Sequence, residues 1–212
     1  YNLLQNSGFR YAGVNPCAEE PLPAGGSCLL GSINLSEFVV DPFTDKAYID
    51  YESLESTTIT AIRALNDVLI EGLPLHPLQE QRETVGDWRQ IGLGTLGLGD
   101  MLIMLGLKYG SKESLEVIDE VYKEIATNSI LASLELAKER GAFPKCSRLI
   151  KQTITTSDFV KNLELPLAFI DEIQRNGLYN SQLLTCAPTG SIGTMLQVST
   201  GVEPNYAFSY NR

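Results

Sequence analysis

Three side chains near the amino terminus of this sequence have the chemistry of an active site. Asn15, Cys17 and Glu19 alternate along the chain, and alternate side chains of an extended chain point to the same side. Pro16 disfavours the helical conformation at Asn15. An amide, a thiol and a carboxylate on one face can orient a hydroxyl group, carry sulfur chemistry and accept a proton. The alternative interpretation is an ordinary turn with a buried cysteine and exposed acids.

A second candidate site is the small-residue loop Pro188-Thr189-Gly190-Ser191-Ile192, which follows a short strand predicted over residues 182–186. Backbone N–H groups and hydroxyls in such a loop can converge on an anion, and a helix turn starting near Ser191 would add its dipole. No lysine follows in the pattern of a nucleoside-triphosphatase P-loop, so that motif is excluded. A plain glycine turn is the alternative.

The cysteines suggest one further reactive residue and no zinc site. Cys28 follows Cys17 by eleven residues, and a hairpin-like path would bring the two thiols near each other. Cys146 and Cys186 have no supporting pattern, and we predict that both are buried structural thiols. There is no Cys-x-x-Cys motif, and His76 stands alone in a predicted loop, so we expect it at the surface.

Gly92, Gly94 and Gly97 match the dinucleotide-binding fingerprint in spacing, but the context excludes that motif. The segment before them contains charged residues such as Asp87 and Arg89 rather than a long apolar strand. The acidic residues about 20 positions further on fall inside a predicted helix. We therefore predict that these glycines allow close packing of a strand on a helix.

Apolar spacing and capping residues predict the elements that position these sites. We predict helices at 51–71 after an Asp50 N-cap, at about 97–105, from Ser111 to Gly141, and at 166–176. Strands are predicted at 28–40, 182–186 and 206–210. Strands that alternate with helices indicate an α/β architecture.

Composition narrows the class of protein. The 212 residues are 43% apolar and 20% charged, which is typical of a folded domain. The net charge of −10 counts against a nucleic-acid partner. No apolar run approaches a membrane span, no signal peptide opens the chain, and four scattered cysteines do not make a secreted scaffold, so we expect a cytoplasmic protein without membrane contact. The first residue is not Met and neither end is polar, so we expect a piece of a larger enzyme.

Taken together, these motifs resemble the catalytic (large) subunit of ribonucleotide reductases. The matching stretches occur in the family's order and cover nearly the whole chain: Asn-Pro-Cys-Ala-Glu-Glu-Pro-Leu at 15–22, Cys-Leu-Leu-Gly-Ser-Ile-Asn-Leu at 28–35, and further segments at 89–100, 136–144, 187–193 and 200–205. Several motifs in one order are far more specific than any single motif.

The resemblance implies an oxidoreductase that converts ribonucleotides, as diphosphates, to 2′-deoxyribonucleotides for DNA synthesis. Cys17 would carry a thiyl radical that abstracts the ribose 3′-hydrogen, Glu19 would take the 3′-hydroxyl proton, and Asn15 would hydrogen-bond the substrate hydroxyls. Cys28 would belong to the redox-active pair that reduces the 2′ position and becomes a disulfide. The loop Pro188, Thr189, Gly190, Ser191 and Ile192 would hold the substrate phosphates.

The implied fold is a ten-stranded α/β barrel with a central finger loop, of the type shared with glycyl-radical enzymes. Residues 1–212 would form part of this catalytic domain, roughly its second half, without the first half or the tail that carries shuttle cysteines. We therefore expect no turnover from these 212 residues alone. The Asn-Pro-Cys and Ala-Pro-Thr-Gly-Ser stretches favour the adenosylcobalamin-dependent class over the class with a separate metal-containing radical subunit.

The resemblance also implies partners, and other classes of function stay open. The implied partners are a ribonucleotide, the remainder of the same subunit, an external dithiol reductant of the thioredoxin or glutaredoxin type, and a second copy in a homodimer. One alternative is a non-catalytic nucleotide-binding module that uses only the 189–191 loop. A second is an inert structural fragment, and a third is a glycyl-radical relative that shares the barrel.

Overall fold

Strands and helices alternate along the chain. The computed structural model describes residues 4, 8–27, 29–205 and 207. The strands are β1 (Gly13–Val14), β2 (Pro21–Leu22), β3 (Leu29–Asn34), β4 (Val39–Val40), β5 (Tyr48–Ile49) and β6 (Ile91–Leu96). The helices are α1 (Tyr51–Gly72), α2 (Gln79–Trp88), α3 (Leu98–Met104), α4 (Lys112–Arg140), α5 (Arg148–Thr156), α6 (Asp158–Asn162), α7 (Leu167–Asn176) and α8 (Gly190–Leu196), with 3-10 turns at Leu35–Phe38 and Leu73–Leu75. The predicted α/β content is confirmed.

The centre of the fold is β6, which lies between two parallel segments, β3 and residues 182–185. β3 pairs with β6 in parallel, from Leu29 opposite Ile91 to Asn34 opposite Leu96. On its other side β6 bonds to residues 182–185 through a parallel bridge between Leu93 and Leu184. All six residues of β6 are buried, as is typical of a parallel strand that is covered on both faces.

Gly94 allows this close pairing. A Cβ atom at Gly94 would lie 2.9 Å from the carbonyl oxygen of Thr185, so the neighbouring segment approaches only because the side chain is absent. The prediction that the glycines serve strand–helix packing is therefore wrong at Gly94, where two strand-like segments meet. It holds at the turn into α3, since Gly97 has a φ of 74° and its Cβ would meet Asn34.

The described residues do not close a barrel. β1–β2 and β4–β5 form separate antiparallel pairs, and β3 and β6 form the parallel pair, which residues 182–185 extend by a bridge. Three parallel segments are too few to close on themselves. The ten-stranded barrel with a finger loop is not seen within these residues.

Two long helices follow the predicted patterns. α1 begins after Asp50, whose Oδ1 accepts the N–H of Ser53 at 3.0 Å. α4 begins after Ser111 and ends at Gly141, as predicted. The two helices pack against each other, and α1 also packs on β3, so its buried stripe covers the parallel segments. The predictions for α3 and α7 are confirmed to within two residues.

Several predicted elements differ. The strand predicted over 28–40 stops at Asn34, because the Asn34 side chain accepts hydrogen bonds from the N–H and hydroxyl of Ser36 and starts a 3-10 turn. The strand predicted over 182–186 is reduced to the single bridge at Leu184. The strand predicted over 206–210 lies outside the described residues except for Ala207. α2, α5 and α6 are additional helices, and His76 is half-buried at the end of a 3-10 turn.

A buried polar network fixes the segment that leads into residues 182–185. Asn66 of α1 and Asn180 form two hydrogen bonds between their amide groups, at 2.7 and 3.2 Å. Ser133 of α4 donates its hydroxyl to Asn180 Oδ1 at 3.1 Å, and Asn180 Nδ2 donates to the carbonyl of Arg89 at 2.9 Å. All three side chains are at most 1% exposed. This network ties α1, α4 and the start of β6 to Asn180.

Apolar packing surrounds these elements. One cluster fills the space between the parallel segments and α1, α3 and α4. A second lies between α4 and helices α5 to α7 and includes Trp88 and Phe143. Over the part of the chain that the structure describes, no helix combines the length and apolarity that a membrane crossing requires.

Candidate active site

A short hairpin carries Cys17 at its exposed tip. β1 and β2 pair antiparallel on either side of the loop. Asn15 closes the loop: its N–H donates to the carbonyl of Glu20 at 3.1 Å, and its Oδ1 accepts the N–H of Glu20 at 2.9 Å. The N–H of Ala18 donates to the carbonyl of Asn15 at 2.9 Å, so Pro16 and Cys17 occupy the two central positions of a β-turn.

This turn replaces the extended conformation that we predicted for residues 15–19. Pro16 has the fixed φ that suits the second position of a turn, and Asn15 bonds its side chain to the backbone as asparagine commonly does in turns. Ala18 completes the reversal with a φ of 66°. Alternation therefore does not set the directions of the three side chains. The ordinary-turn alternative also fails in its details, because Cys17 is exposed and Glu19 is partly buried.

The carboxyl group of Glu19 lies in the loop at a partly buried position. Its Oε2 atom is buried and has no hydrogen-bond partner within the described residues. Burying an unpaired carboxylate oxygen costs free energy, so such an atom is normally satisfied by a ligand, a water or another group. The main chain of Glu19 is held separately, since Thr185 Oγ1 donates to its carbonyl at 3.4 Å. One oxygen of the carboxyl group is thus available to a hydroxyl donor.

Sequence reasoning missed the residue after it. Glu20 is fully buried, and its Oε2 accepts a hydrogen bond from Nε2 of Gln182. Gln182 Oε1 in turn accepts Nε2 of Gln90 at 2.7 Å. The only signal in the sequence is the doubled acid at 19–20, and it does not identify partners so far along the chain.

The predicted anion loop forms the start of α8. Thr189 has a left-handed φ of 51°, and α8 begins at Gly190, in agreement with the helix turn predicted near Ser191. No side chain caps α8, because the Thr189 hydroxyl accepts the N–H of Gly201 at 2.7 Å instead. The backbone N–H groups of the first turn are left for other acceptors.

The hairpin lies along residues 182–185, with Glu20 bonded to Gln182 and Glu19 to Thr185, and the anion loop follows at the carboxyl end of this segment. Thr185 contacts the carbonyl of Glu19, and Pro188 follows three residues later, at most about 10 Å along an extended chain. The N–H of Gly97, just after β6, donates to the carbonyl of Ser199 at 2.8 Å, which places the 199–201 turn at the carboxyl end of β6. Ligands of parallel sheets usually bind at this end.

A partly buried tyrosine lies at the carboxyl end of β6. Tyr122 of α4 and Thr95 of β6 share a hydrogen bond of 2.6 Å between their hydroxyl groups. Burial raises the pKa of the Tyr122 phenol above its usual value. The phenol therefore stays protonated at neutral pH and acts as a structural hydrogen-bonding group.

The other cysteines are placed as follows. Cys28 lies outside the described residues. Cys186 is exposed, so the prediction of a buried structural thiol is wrong there, because the 182–186 segment leaves the sheet after Thr185. Cys146 is partly buried, and burial raises the pKa of its thiol, which makes it a poor nucleophile.

A polar cavity of about 560 Å³ adjoins Gly193 and Thr194 of α8 and the residues that follow the helix. Its lining includes Asp100, Gln197 and Glu203. Two carboxylates disfavour a phosphate there, so the first turn of α8 is the better anion site. Over the described ranges, no group of three or more His, Cys, Asp or Glu side chains is placed to hold a metal ion.

Comparison with known proteins gives consistent matches. The family model described as ribonucleotide reductase, barrel domain, matches residues 9–212. The vitamin B12-dependent ribonucleoside-diphosphate reductase of Thermoplasma acidophilum is 36% identical over 201 residues, which cover 94% of this chain and 22% of that protein. The protein of the same name from Mycobacterium tuberculosis is 32% identical over 203 residues, 96% of this chain and 25% of its own length.

A third relative has a different name. The ribonucleoside-diphosphate reductase subunit alpha of Chlamydia pneumoniae is 35% identical over 198 residues, which cover 84% of this chain and 18% of that protein. The chain thus spans about a fifth to a quarter of the length of these curated relatives.

Proposed function

The chain belongs to the ribonucleotide reductase family, within the barrel domain of the catalytic subunit, and we propose that the protein containing it reduces ribonucleoside diphosphates to 2′-deoxyribonucleotides through a thiyl radical on Cys17. The observation that carries the proposal is the hairpin. It presents an exposed thiol at its tip and, two residues later, a buried carboxylate oxygen with no partner among the described residues.

The first step is hydrogen abstraction. The Cys17 sulfur radical takes the hydrogen from C3′ of the ribose, so that an S–H bond forms and the radical moves to C3′. Glu19 accepts the proton of the 3′-hydroxyl. Because Asn15 Oδ1 already accepts the N–H of Glu20, the Nδ2 group of Asn15 is the atom we assign to hydrogen-bond the substrate. Holding these groups in one geometry supplies the proximity contribution to the rate.

The second step is reduction at C2′. Two thiols together supply two electrons and two protons. One proton leaves with the 2′-hydroxyl as water, and the other proton and both electrons form the new C2′–H bond. Cys28 and a partner cysteine outside residues 1–212 become a disulfide in this step. Cys17 then returns its hydrogen to C3′ and regains the radical, and Glu19 returns its proton to the 3′-oxygen. An external dithiol of the thioredoxin or glutaredoxin type reduces the disulfide again.

The substrate phosphates bind at the loop Pro188, Thr189, Gly190, Ser191 and Ile192. Support comes from the open first turn of α8, which no side chain caps, and from the short chain distance to Thr185 beside the hairpin. The site uses backbone donors, so the net charge of −10 does not oppose it.

Adenosylcobalamin is the radical source that we propose, since two relatives bear the name vitamin B12-dependent reductase. The cofactor, when bound, supplies the radical that oxidises the Cys17 thiol. The described residues fit this role at the tip of the hairpin, where Pro16, Cys17 and Ala18 are all exposed. These exposed positions leave the thiol accessible from outside the chain.

The rest of the subunit completes the architecture. We propose that strands beyond residues 1–212 close the ten-stranded barrel around the hairpin, which becomes the finger loop, and shield the radical from water. We further propose that the whole protein forms a homodimer and works in the cytoplasm, where dithiol reductants keep thiols reduced.

The test uses the full-length protein with adenosylcobalamin, a dithiol and a ribonucleoside diphosphate. Cys17→Ser should abolish deoxyribonucleotide formation, because a hydroxyl cannot replace the sulfur radical. Cys146→Ala, which changes a thiol in the second apolar cluster, is the matched control and should retain activity. Activity in Cys17→Ser would refute the proposal.

Turnover of Cys17→Ser, together with the thermal stability of the full-length protein with and without nucleotides, separates the alternatives. A non-catalytic nucleotide-binding module predicts that Cys17→Ser leaves the activity of the whole protein intact. An inert structural fragment predicts that nucleotides do not shift the thermal stability of the full-length protein. Our proposal predicts loss of activity in Cys17→Ser together with a retained nucleotide-induced shift.

A further inference from the structure

Three polar side chains connect the hairpin to the sheet through a short relay. Gln90 is 2% exposed and Glu20 is 0% exposed. Gln90 Nε2 donates to Gln182 Oε1 at 2.7 Å, and Gln182 Nε2 donates to Glu20 Oε2. We infer that this relay sets the position of Cys17, so that Glu20 and Gln182 are positioning residues for the hydrogen abstraction; the inference rests on the proposed function.

The sheet end of the relay is fixed by backbone bonds. The N–H of Ile91, next to Gln90, donates to the carbonyl of Gln182 at 3.1 Å. The N–H of Ser181 donates to the carbonyl of Trp88 at 3.1 Å. Both glutamines therefore extend from segments that are bonded to each other, which holds their amide groups within reach.

The hairpin end needs such support. β1 and β2 have only two residues each, and an isolated two-stranded hairpin is marginally stable at best. Glu20 exchanges both of its backbone hydrogen bonds with Asn15, so fixing the Glu20 side chain fixes the closure of the loop. A second tie, from Thr185 to the carbonyl of Glu19, is longer at 3.4 Å.

The donor and acceptor pattern makes the relay testable by reversal. Glu20 accepts, while Gln182 donates to it and accepts from Gln90. In Gln182→Glu two carboxyl groups face each other and the donor to Glu20 is lost. In the double variant Glu20→Gln with Gln182→Glu, the new glutamine donates to the new glutamate, which still accepts from Gln90. The pair is restored with its polarity reversed.

The experiment measures turnover and hydrogen exchange in the full-length reductase. For Gln182→Glu we expect kcat to fall about 100-fold, the scale of a misplacement of roughly 1 Å, while KM for the nucleotide stays unchanged. The peptide spanning residues 12–22 should exchange its amide hydrogens faster, and peptides of α4 should not. The double variant should recover most of kcat and the protection of the hairpin.

Gln79→Glu is the matched control. Gln79 also donates its amide to a glutamate, Glu83, at 2.7 Å, but on the exposed side of α2. The same change of charge there should leave kcat and the exchange of residues 12–22 at their wild-type values. A loss in this variant equal to that in Gln182→Glu would overturn the relay, because the effect would then be one of charge alone.

The other outcomes of these variants also test the relay. Wild-type kcat and hairpin exchange in Gln182→Glu would overturn the inference, as would a folded double variant without recovery. If Gln182→Glu does not fold, the double variant alone is decisive, since we expect it to fold and turn over. An inactive wild-type enzyme would contradict the proposed function, and hairpin exchange in the same variants would still test the relay.

Discussion

Replacing Asn180 by alanine should loosen the segment that supports the hairpin. The change removes the donor to Asn66 Oδ1, at a buried position, and the donor to the carbonyl of Arg89, at a partly buried one. Ser133 still accepts the backbone N–H groups of Tyr179 and Asn180, but its hydroxyl hydrogen loses Asn180 Oδ1 as an acceptor. Two orphaned acceptors at about 1–3 kcal/mol each give about 2–6 kcal/mol, and we expect the lower part of that range, about 3 kcal/mol, because the Arg89 carbonyl is only partly buried.

Hydrogen exchange of the full-length protein checks this value. The amides of Tyr179 and Asn180 both donate to Ser133, and about 3 kcal/mol corresponds to a loss of protection of about 150-fold. Asn162→Ala is the control, because Asn162 is exposed at the end of α6 and should change stability by less than about 0.5 kcal/mol. Adding Asn66→Ala removes one of the orphaned groups, so the double variant should lose less than the sum of the two single variants. Two results would refute the reasoning. One is equal amide protection in Asn180→Ala and Asn162→Ala, and the other is a double variant whose loss of stability equals the sum of the Asn180→Ala and Asn66→Ala losses.

Two further predictions concern packing and pH. Gly94→Ala should destabilise the full-length protein by about 1–3 kcal/mol, because its Cβ would lie 2.9 Å from the carbonyl of Thr185. The control Gly72→Ala should not destabilise the protein, since nothing lies within 4 Å of a Cβ at Gly72. Equal melting temperatures of the two variants would contradict the close approach at Gly94. Burial, followed by the hydrogen bond to Glu120, raises the pKa of Tyr51 to about 12, so its contribution to stability is complete below its unfolded pKa of about 10 and is lost as pH rises to about 12. The stability difference between wild type and Tyr51→Phe should shrink across that range in denaturant titrations at successive pH values, and a constant difference would exclude the shift.

Elements with local signals were predictable from the sequence. Asp50 and Ser111 bond to the N–H groups three residues later, and the helices after them begin where the capping pattern indicates. The end of α4 at Gly141 was equally clear. α5 and α6 lack separate signals, since one residue, Ser157, ends the first helix and caps the second.

The candidate site was predictable in its residue types but not in its geometry. Asn15, Cys17 and Glu19 share a loop, yet a turn at Pro16 and Cys17 sets their directions, which an argument from alternation does not contain. The burial of Glu20 depends on a partner 162 residues away. Spacing along the chain carries no information about such pairs, because tertiary packing decides them.

The order of the segments around β6 has a consequence for folding kinetics. β3 and β6 are separated by the whole of α1 and α2, and residues 182–185 join β6 only after α4 to α7. Contacts between distant segments form slowly, because loop-closure entropy is lost before the pairing compensates for it. Because the hairpin takes its support from Gln182, 162 residues away, we expect this loop to assemble late, after the more local helices have formed.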